Sequence, residues 1–195
     1  MPRAGRFGFA LLLALSLAGG SALASPQRIA ARSLYVEGDS LAVGTSWYLG
    51  GYLRGWTMHG TAIVSRHTYQ GALDIEQRAR AGILERVVVV DLGTNDDPSA
   101  VSQFASYVRD VVKAAGPSRC VIWSTINRPA YNGVSYDGYN AALLALDSRY
   151  RNLHVFDWAF LAHANPQWFG SDGVHPTNAG YRARAAALAR VIKTC

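Results

Sequence analysis

The sequence predicts a single three-layer α/β/α sandwich domain around a parallel five-stranded sheet. Three observations predict it. Five short apolar runs alternate with segments of helical periodicity. The third run, "RVVVVDLG", carries four successive valines, the mark of a central strand buried on both faces. The chain has 195 residues with no internal repeat and no linker, which suits one domain with a sizeable core.

The elements follow in order. The first segment stands apart from the fold. Arg3 and Arg6 precede the apolar "FGFALLLALSLAGG", which is short for a membrane span, and Ala22-Leu23-Ala24 is a small-x-small cleavage signal. Residues 1–24 therefore read as a secretory signal peptide cut after Ala24, and residues 25–195 as the mature domain. A retained membrane anchor is the competing reading; the cleavage signal argues against it. No later run reaches transmembrane length. The expected location is extracytoplasmic, either secreted or held in the periplasm or envelope, without stable membrane insertion.

Strand one is "SLYVEG", and the helix after it places Leu41, Thr45, Tyr48, Leu49, Tyr52 and Leu53 on one face. Strand two is read as "TAIVS", residues 61–65, and strand three as Val87 to Leu92. The next helix carries Val101, Phe104, Ala105, Val108, Val112 and Ala115, with Asp97 expected as N-cap and Pro98 in the first turn. "RCVIWSTI" is strand four, and Tyr139, Leu143, Leu146 and Tyr150 form a third helical stripe. "LHVFDW" is strand five; Tyr181, Ala185, Leu188 and Ile192 mark the last helix, after Thr177 and Asn178. Strand–helix alternation of this kind gives a parallel sheet with helices on both faces, joined by right-handed connections. Ligands in such folds bind at the carboxyl ends of the strands.

Composition excludes some classes. Half the residues are hydrophobic and 16% are charged, so the chain is neither disordered nor fibrous. Loss of Arg3 and Arg6 lowers the formal charge from +6 to +4. The remaining basic residues are spread along the chain, without the clustered stripe and interleaved aromatics of a nucleic-acid binder. Lys113 and Lys193 are the only lysines, so no lysine clamp for phosphate stands near strand five.

Three polar clusters arrive at one rim of the sheet. Strand one ends in Gly38-Asp39-Ser40, strand three in Gly93-Thr94-Asn95-Asp96, and Asp172 with His175 precedes the last helix. Singly, each suits a helix cap or a turn. Together they supply a hydroxyl, an imidazole, a carboxylate and a side-chain amide, the groups that acyl transfer through a serine requires. His175 is the candidate base because imidazole titrates near neutrality. Asp172 would fix its tautomer, once the loop curls to bring the pair together. The backbone N–H of Ser40 and the amide of Asn95 would donate to an oxyanion. The strand-to-helix turn lifts Ser40 onto the rim, where an acyl group can reach it.

"GDSL" at 38–41, "GTND" at 93–96 and "DGVH" at 172–175 resemble the three clearest blocks of the SGNH (GDSL) hydrolase family. The resemblance covers essentially the whole mature chain. It implies a flavodoxin-like fold with strand order 2-1-3-4-5, and an esterase acting on O-acyl esters of alcohols, carbohydrates or lipids without metal or organic cofactor. It makes Ser40 the nucleophile, Asp172 and His175 the rest of a triad, and Asn95 an oxyanion donor. One block departs. The family places a glycine after strand two, whose N–H joins the oxyanion hole; here Ser65 stands at that position, with Gly71 further on. Ser65 can still donate its N–H but lacks glycine's freedom of φ.

Two other functions fit parts of the pattern. Asp39, Asp91, Asp96 and Asp97 offer acids for metal-dependent phosphoryl transfer on the same sheet, and a non-catalytic binding module would share the fold. The G-x-S-x-G elbow of α/β-hydrolases fails at Ala42. His59, His67, His154 and His163 show no metal-ligand spacing and read as surface or packing histidines. Asp157 is expected to hydrogen-bond near the Asp172 loop, and Glu37 to act beside the catalytic turn or to sit exposed at the strand end. Trp168 and Phe169 either wall a pocket or pack. The irregular stretch 127–138 follows strand four at the active rim and is either a substrate loop or a plain connection. Helices antiparallel to the strands bring the chain end near the start of strand four, so a Cys120–Cys195 disulfide is one reading and a buried free Cys120 with a frayed terminal Cys195 is the other.

Overall fold

The computed structural model describes residues 31–195; the predicted leader and its cleavage point at Ala24 lie outside the described residues. The strands are β1 (Ser33–Gly38), β2 (Thr57–Ala62), β3 (Val87–Asp91), β4 (Cys120–Ser124) and β5 (Leu153–Phe156). The helices are α1 (Ser40–Tyr52), α2 (Thr68–Arg80), α3 (Val101–Ala115), α4 (Asp137–Asp147), α5 (Trp158–His163) and α6 (Asn178–Ile192), with one 3-10 turn at Pro166–Trp168. All strand pairs are parallel, in the order β2-β1-β3-β4-β5. This is the expected sheet.

The two-residue side-chain period of a strand divides the core in two. Val87 and Val89 of β3 join Leu34, Val36 and Ile122 on one face, covered by Leu49, Ala185, Leu188 and Ile192 of α1 and α6. Val88 and Val90 join Tyr35, Val121 and Trp123 on the other face, covered by Ile75, Phe104, Val108 and Leu143 of α2, α3 and α4. Every residue of β3 is buried, which is why its sequence shows an apolar run and no alternation.

Three local expectations need correction. Strand two is "TMHGTA", ending at Ala62, not "TAIVS". It is an edge strand and largely exposed, so it carries no apolar pattern; the apolar Ile63 and Val64 that attracted the reading are exposed turn residues. The N-cap of α3 is Ala100, not Asp97. Asp97 closes the preceding turn, where its Oδ1 accepts from the Ser99 N–H at 3.0 Å. Finally, two helices carry no stripe that the sequence reading marks: α2 buries Thr68, Gly71, Ala72 and Ile75, a face with one large apolar residue, and α5 is only six residues long.

Two buried arrangements tie the layers together. Arg184 of α6 is fully buried; it donates to both Asp91 oxygens at 2.7 Å and to Thr45 Oγ1 at 2.8 Å, joining α6, β3 and α1. Cys120 at the start of β4 is bonded to Cys195, with Cα atoms 5.8 Å apart, as the antiparallel run of α6 leads one to expect. His154 lies beside this bridge.

Order in the sheet also places the site. The chain leaves β1 for β2 on one side and then returns to β3 on the other. The carboxyl ends of β1 and β3 therefore form the switch point, where loops diverge and leave a crevice.

Candidate active site

The turn out of β1 is tight. A Cβ on Gly38 would lie 2.3 Å from Ala42 Cβ and 3.0 Å from Asp91 O, so only glycine lets β1 pass directly into α1. Asp39 caps α1: its Oδ1 accepts the Leu41 N–H at 2.9 Å. Ser40 is the first helical residue, half-buried, and its own N–H points out of the helix end with no partner among the described residues.

The loop before α6 closes on itself. Asp172 Oδ1 accepts the backbone N–H of Val174 and of His175, both at 3.0 Å. Its Oδ2 lies 2.7 Å from His175 Nδ1. Gly173, at φ +65°, supplies the left-handed step that makes this curl possible. His175 Nε2 then lies 2.9 Å from Ser40 Oγ. The hydrogen bond from His175, followed by the two backbone N–H groups, holds the Asp172 carboxyl down to about 2. Ionised, it can only accept, so Nδ1 carries the proton and Nε2 is left to accept from the Ser40 hydroxyl.

Asn95 comes to the same crevice from β3. Its Nδ2 donates to Asp39 Oδ2 at 3.1 Å and to Arg66 O at 3.2 Å. Both amide hydrogens thus have partners, which fix the amide plane beside Ser40. Burial, and next the nearby Asp91 carboxylate, push the Asp39 carboxyl above its usual range.

Ser65 lies in an exposed turn past β2, with φ +63°. That is the left-handed conformation glycine adopts without strain. Its N–H has no hydrogen-bond partner among the described residues. The turn is anchored by the Ile63 N–H on Gly38 O at 3.0 Å and by the buried Arg66. Arg66 Nη1 lies 2.8 Å from Glu37 Oε1, and Nη2 bonds Asp74. Glu37 is therefore a buried partner of the residue whose carbonyl holds Asn95, not an exposed strand end. Burial pushes its carboxyl up to about 8, against the pull of Arg66.

Ser40, Asn95, Asp172 and His175 line one cleft of about 360 Å³, together with Arg128, Pro129 and Tyr131 from the stretch after β4. Sequence reasoning missed Arg66, Arg128 and Arg184. The signal for a structured loop was present in the dipeptide Asn132-Gly133, which forms the two-residue turn of the Tyr131–Val134 bridge. Other expectations shift. Asp157 caps α5, accepting from Phe160 N and Thr125 Oγ1, and does not touch the Asp172 loop. Trp168 and Phe169 pack on Trp158, with ring centroids 6.0 and 5.8 Å away. The four candidate metal acids do not converge. Asp91 is spent on Arg184, Asp96 on Thr68 and His67, Asp97 on Ser99, and Asp39 on the helix cap.

Comparison with known proteins bears on the fold and the family. No curated protein sequence matches the chain. Among solved structures, the catalytic domain of Streptococcus pneumoniae peptidoglycan O-acetyltransferase A aligns with a TM-score of 0.71 at 22% identity, over 83% of this chain and 93% of that one. A carbohydrate esterase family 3 protein from Talaromyces cellulolyticus aligns at 0.62 and 16%, over 84% of this chain and 99% of the other. The psychrotrophic esterase EstA from Pseudoalteromonas sp. aligns at 0.63 and 14%, over 84% and 97%. These likenesses show a shared fold. Residues 36–183 match the model of the GDSL-like Lipase/Acylhydrolase family, so the chain belongs to that family of ester hydrolases.

Proposed function

We propose that the protein is an exported serine esterase that removes acyl groups from alcohol oxygens. The observation that carries this reading is the continuous relay Asp172 Oδ2–His175 Nδ1 at 2.7 Å and His175 Nε2–Ser40 Oγ at 2.9 Å. His175 takes the hydroxyl proton as Ser40 Oγ attacks the ester carbonyl. The carbonyl oxygen becomes an oxyanion at the start of α1, where the Ser40 N–H donates to it. Asn95 shares one amide hydrogen with the oxyanion, and the other keeps the side chain in place. Ser65, whose N–H is unpaired among the described residues, is the candidate third donor from the turn after β2. Collapse expels the alcohol, which takes the proton from His175 Nε2, and leaves an acyl-serine. Water, deprotonated by the same nitrogen, then attacks the acyl carbonyl; the acid leaves as Ser40 Oγ takes the proton back from His175 Nε2.

Small acyl groups on carbohydrates are the favoured substrate class. An exported enzyme meets polymers, and the structural neighbours named above include a peptidoglycan O-acetyltransferase and a carbohydrate esterase. Export rests on the leader pattern in residues 1–24. N-terminal sequencing of the protein recovered outside the cytoplasm should begin at Ser25.

The test is a panel of p-nitrophenyl esters of increasing chain length, with acetylated xylan and acetylated chitin oligomers, run against Ser40→Ala. Activity on short esters that survives chelator and vanishes in Ser40→Ala is expected. Equal turnover by Ser40→Ala would sink the reading.

A further inference from the structure

The cleft beside Ser40 holds a cation without a counter-ion. Arg128 is half-buried and lines the same cavity as Ser40 and His175. One terminal nitrogen donates to Thr94 O. No carboxylate pairs with its guanidinium among the described residues. Asp172, the acid of the cleft, is spent on His175 and two backbone N–H groups. Asp96 is spent on His67 and Thr68. Guanidinium N–H groups therefore remain unspent in the cleft that the nucleophile lines.

The loop that carries Arg128 is built to hold it. Asn140 clamps Ile126 at both its N–H and its carbonyl, at 2.8 and 2.9 Å. Asn127 Nδ2 donates to Gly173 O at 3.3 Å, which joins the loop to the Asp172 turn. Tyr136 Oη reaches Thr94 O at 3.1 Å. The Tyr131–Val134 turn is closed by backbone bonds of 2.9 and 3.0 Å. Arg128 is thus placed in advance, which lowers the entropy cost of using it.

We propose that Arg128 forms an anion subsite, so the preferred substrate is an ester that also carries a carboxylate close to the scissile bond. This rests on the serine-esterase reading and adds a substrate class to it. Partly desolvated guanidinium without a partner is costly, and a planar carboxylate meets its fork with two parallel N–H···O bonds. Arg128 and Ser40 line one cleft of about 360 Å³, which sets the anionic group and the ester carbonyl in the same small space. The exposed Tyr131 ring supplies an apolar wall along the same cleft.

The test uses two matched pairs of esters. 4-Acetoxybenzoate against its methyl ester places the charge in the alcohol part. Monophenyl adipate against phenyl hexanoate places it in the acyl part. Wild type should favour the charged member of at least one pair by about tenfold in kcat/KM, mostly through KM, the scale of one charge-assisted hydrogen bond. Arg128→Met should abolish that ratio, Arg128→Lys should retain part of it, and Arg190→Met on the far end of α6 should leave it intact. A ratio at or below one in both pairs would overturn the proposal. So would an unchanged ratio in Arg128→Met, which is the outcome expected if Arg128 serves the oxyanion of every substrate alike. Binding to Ser40→Ala gives a readout independent of turnover. Its Kd for the charged ester of the favoured pair should weaken about tenfold when Arg128→Met is added, and equal Kd values refute the subsite. Turnover of all four esters by Ser40→Ala at the wild-type rate would instead overturn the esterase reading.

Discussion

Ser40 Oγ and His175 Nε2 stand 2.9 Å apart although 135 residues of chain separate them. The contact exists because β1 is a central strand and α6 packs against α1 on one face of the sheet. The end of β1 and the loop before α6 then meet at one rim.

Asp172 governs the state of this pair. Held down to about 2, its carboxyl stays ionised far below neutrality, so acid loss of activity above that point does not come from protonation of Asp172. Asp172→Asn should lower kcat by roughly 10³–10⁴ by destroying the tautomer preference. Its depressed value also stabilises the fold above the ordinary carboxylate range, and this is lost as pH falls through about 2. With half the side chain in solvent the stability effect is small, so the melting temperature at pH 7 should barely move. Steady-state kinetics and thermal melts of the variant check both halves.

Asn95 is expected to act on the transition state more than on binding. Asn95→Ala should reduce kcat by about 10²–10³ with little change in KM. A rise in KM at constant kcat would place Asn95 in substrate binding instead. Because Asp39 Oδ2 and Arg66 O lose a donor, a stability loss of about 1–3 kcal/mol should accompany it, read by denaturant unfolding.

Ser65 carries backbone strain that a glycine would remove. Ser65→Gly should stabilise the fold by about 0.5–1 kcal/mol, since the φ of +63° costs a serine more than a glycine. The N–H survives the change, so activity should be kept. Urea unfolding and p-nitrophenyl acetate turnover measure the two effects; a destabilised variant would contradict the strain argument.

Glu37 makes stability depend on pH. Burial raises its carboxyl from 4.5 to about 8. The folded state then holds a proton that the unfolded chain releases, so this contribution is complete below about 4.5 and is lost as pH rises through about 8. The melting temperature should decline from pH 5 to 8.5, and less steeply in Glu37→Gln. Parallel curves for the two proteins would rule this out.

The Cys120–Cys195 bridge spans 75 positions and ties the chain end to β4. In the loop-entropy model this contributes about 4 kcal/mol. Reduction, or Cys195→Ser, should lower the melting temperature by roughly 10 °C for a domain of this size. Free-thiol titration should find two thiols with reductant and none without it.

Some of the site was legible in the chain because its causes are local. Gly38-Asp39-Ser40 is a strand end, a cap and a helix start in three consecutive positions. Asp172 and His175 meet through an Asx-type turn that four residues suffice to build. Arg66, Arg128 and Arg184 were not legible. Each is an ordinary surface residue type in sequence, and each acquires its partner from a distant segment: Glu37, Thr94 and Asp91. Strand two was misplaced because an edge strand facing solvent has no apolar face to display.

The sequence alone determined a parallel sheet with helices on both faces and the chemistry gathered at its rim, but not α2, α5 or the bounds of β2. Valine runs, helical stripes and turn residues act over a few positions and need no tertiary knowledge. Only the tertiary structure decided how buried charges pair, what holds Asn95 in place and which side chains of the stretch 127–138 wall the cleft. Desolvation and ion pairing depend on distances of a few ångströms between segments far apart in the chain, and no local pattern encodes those distances.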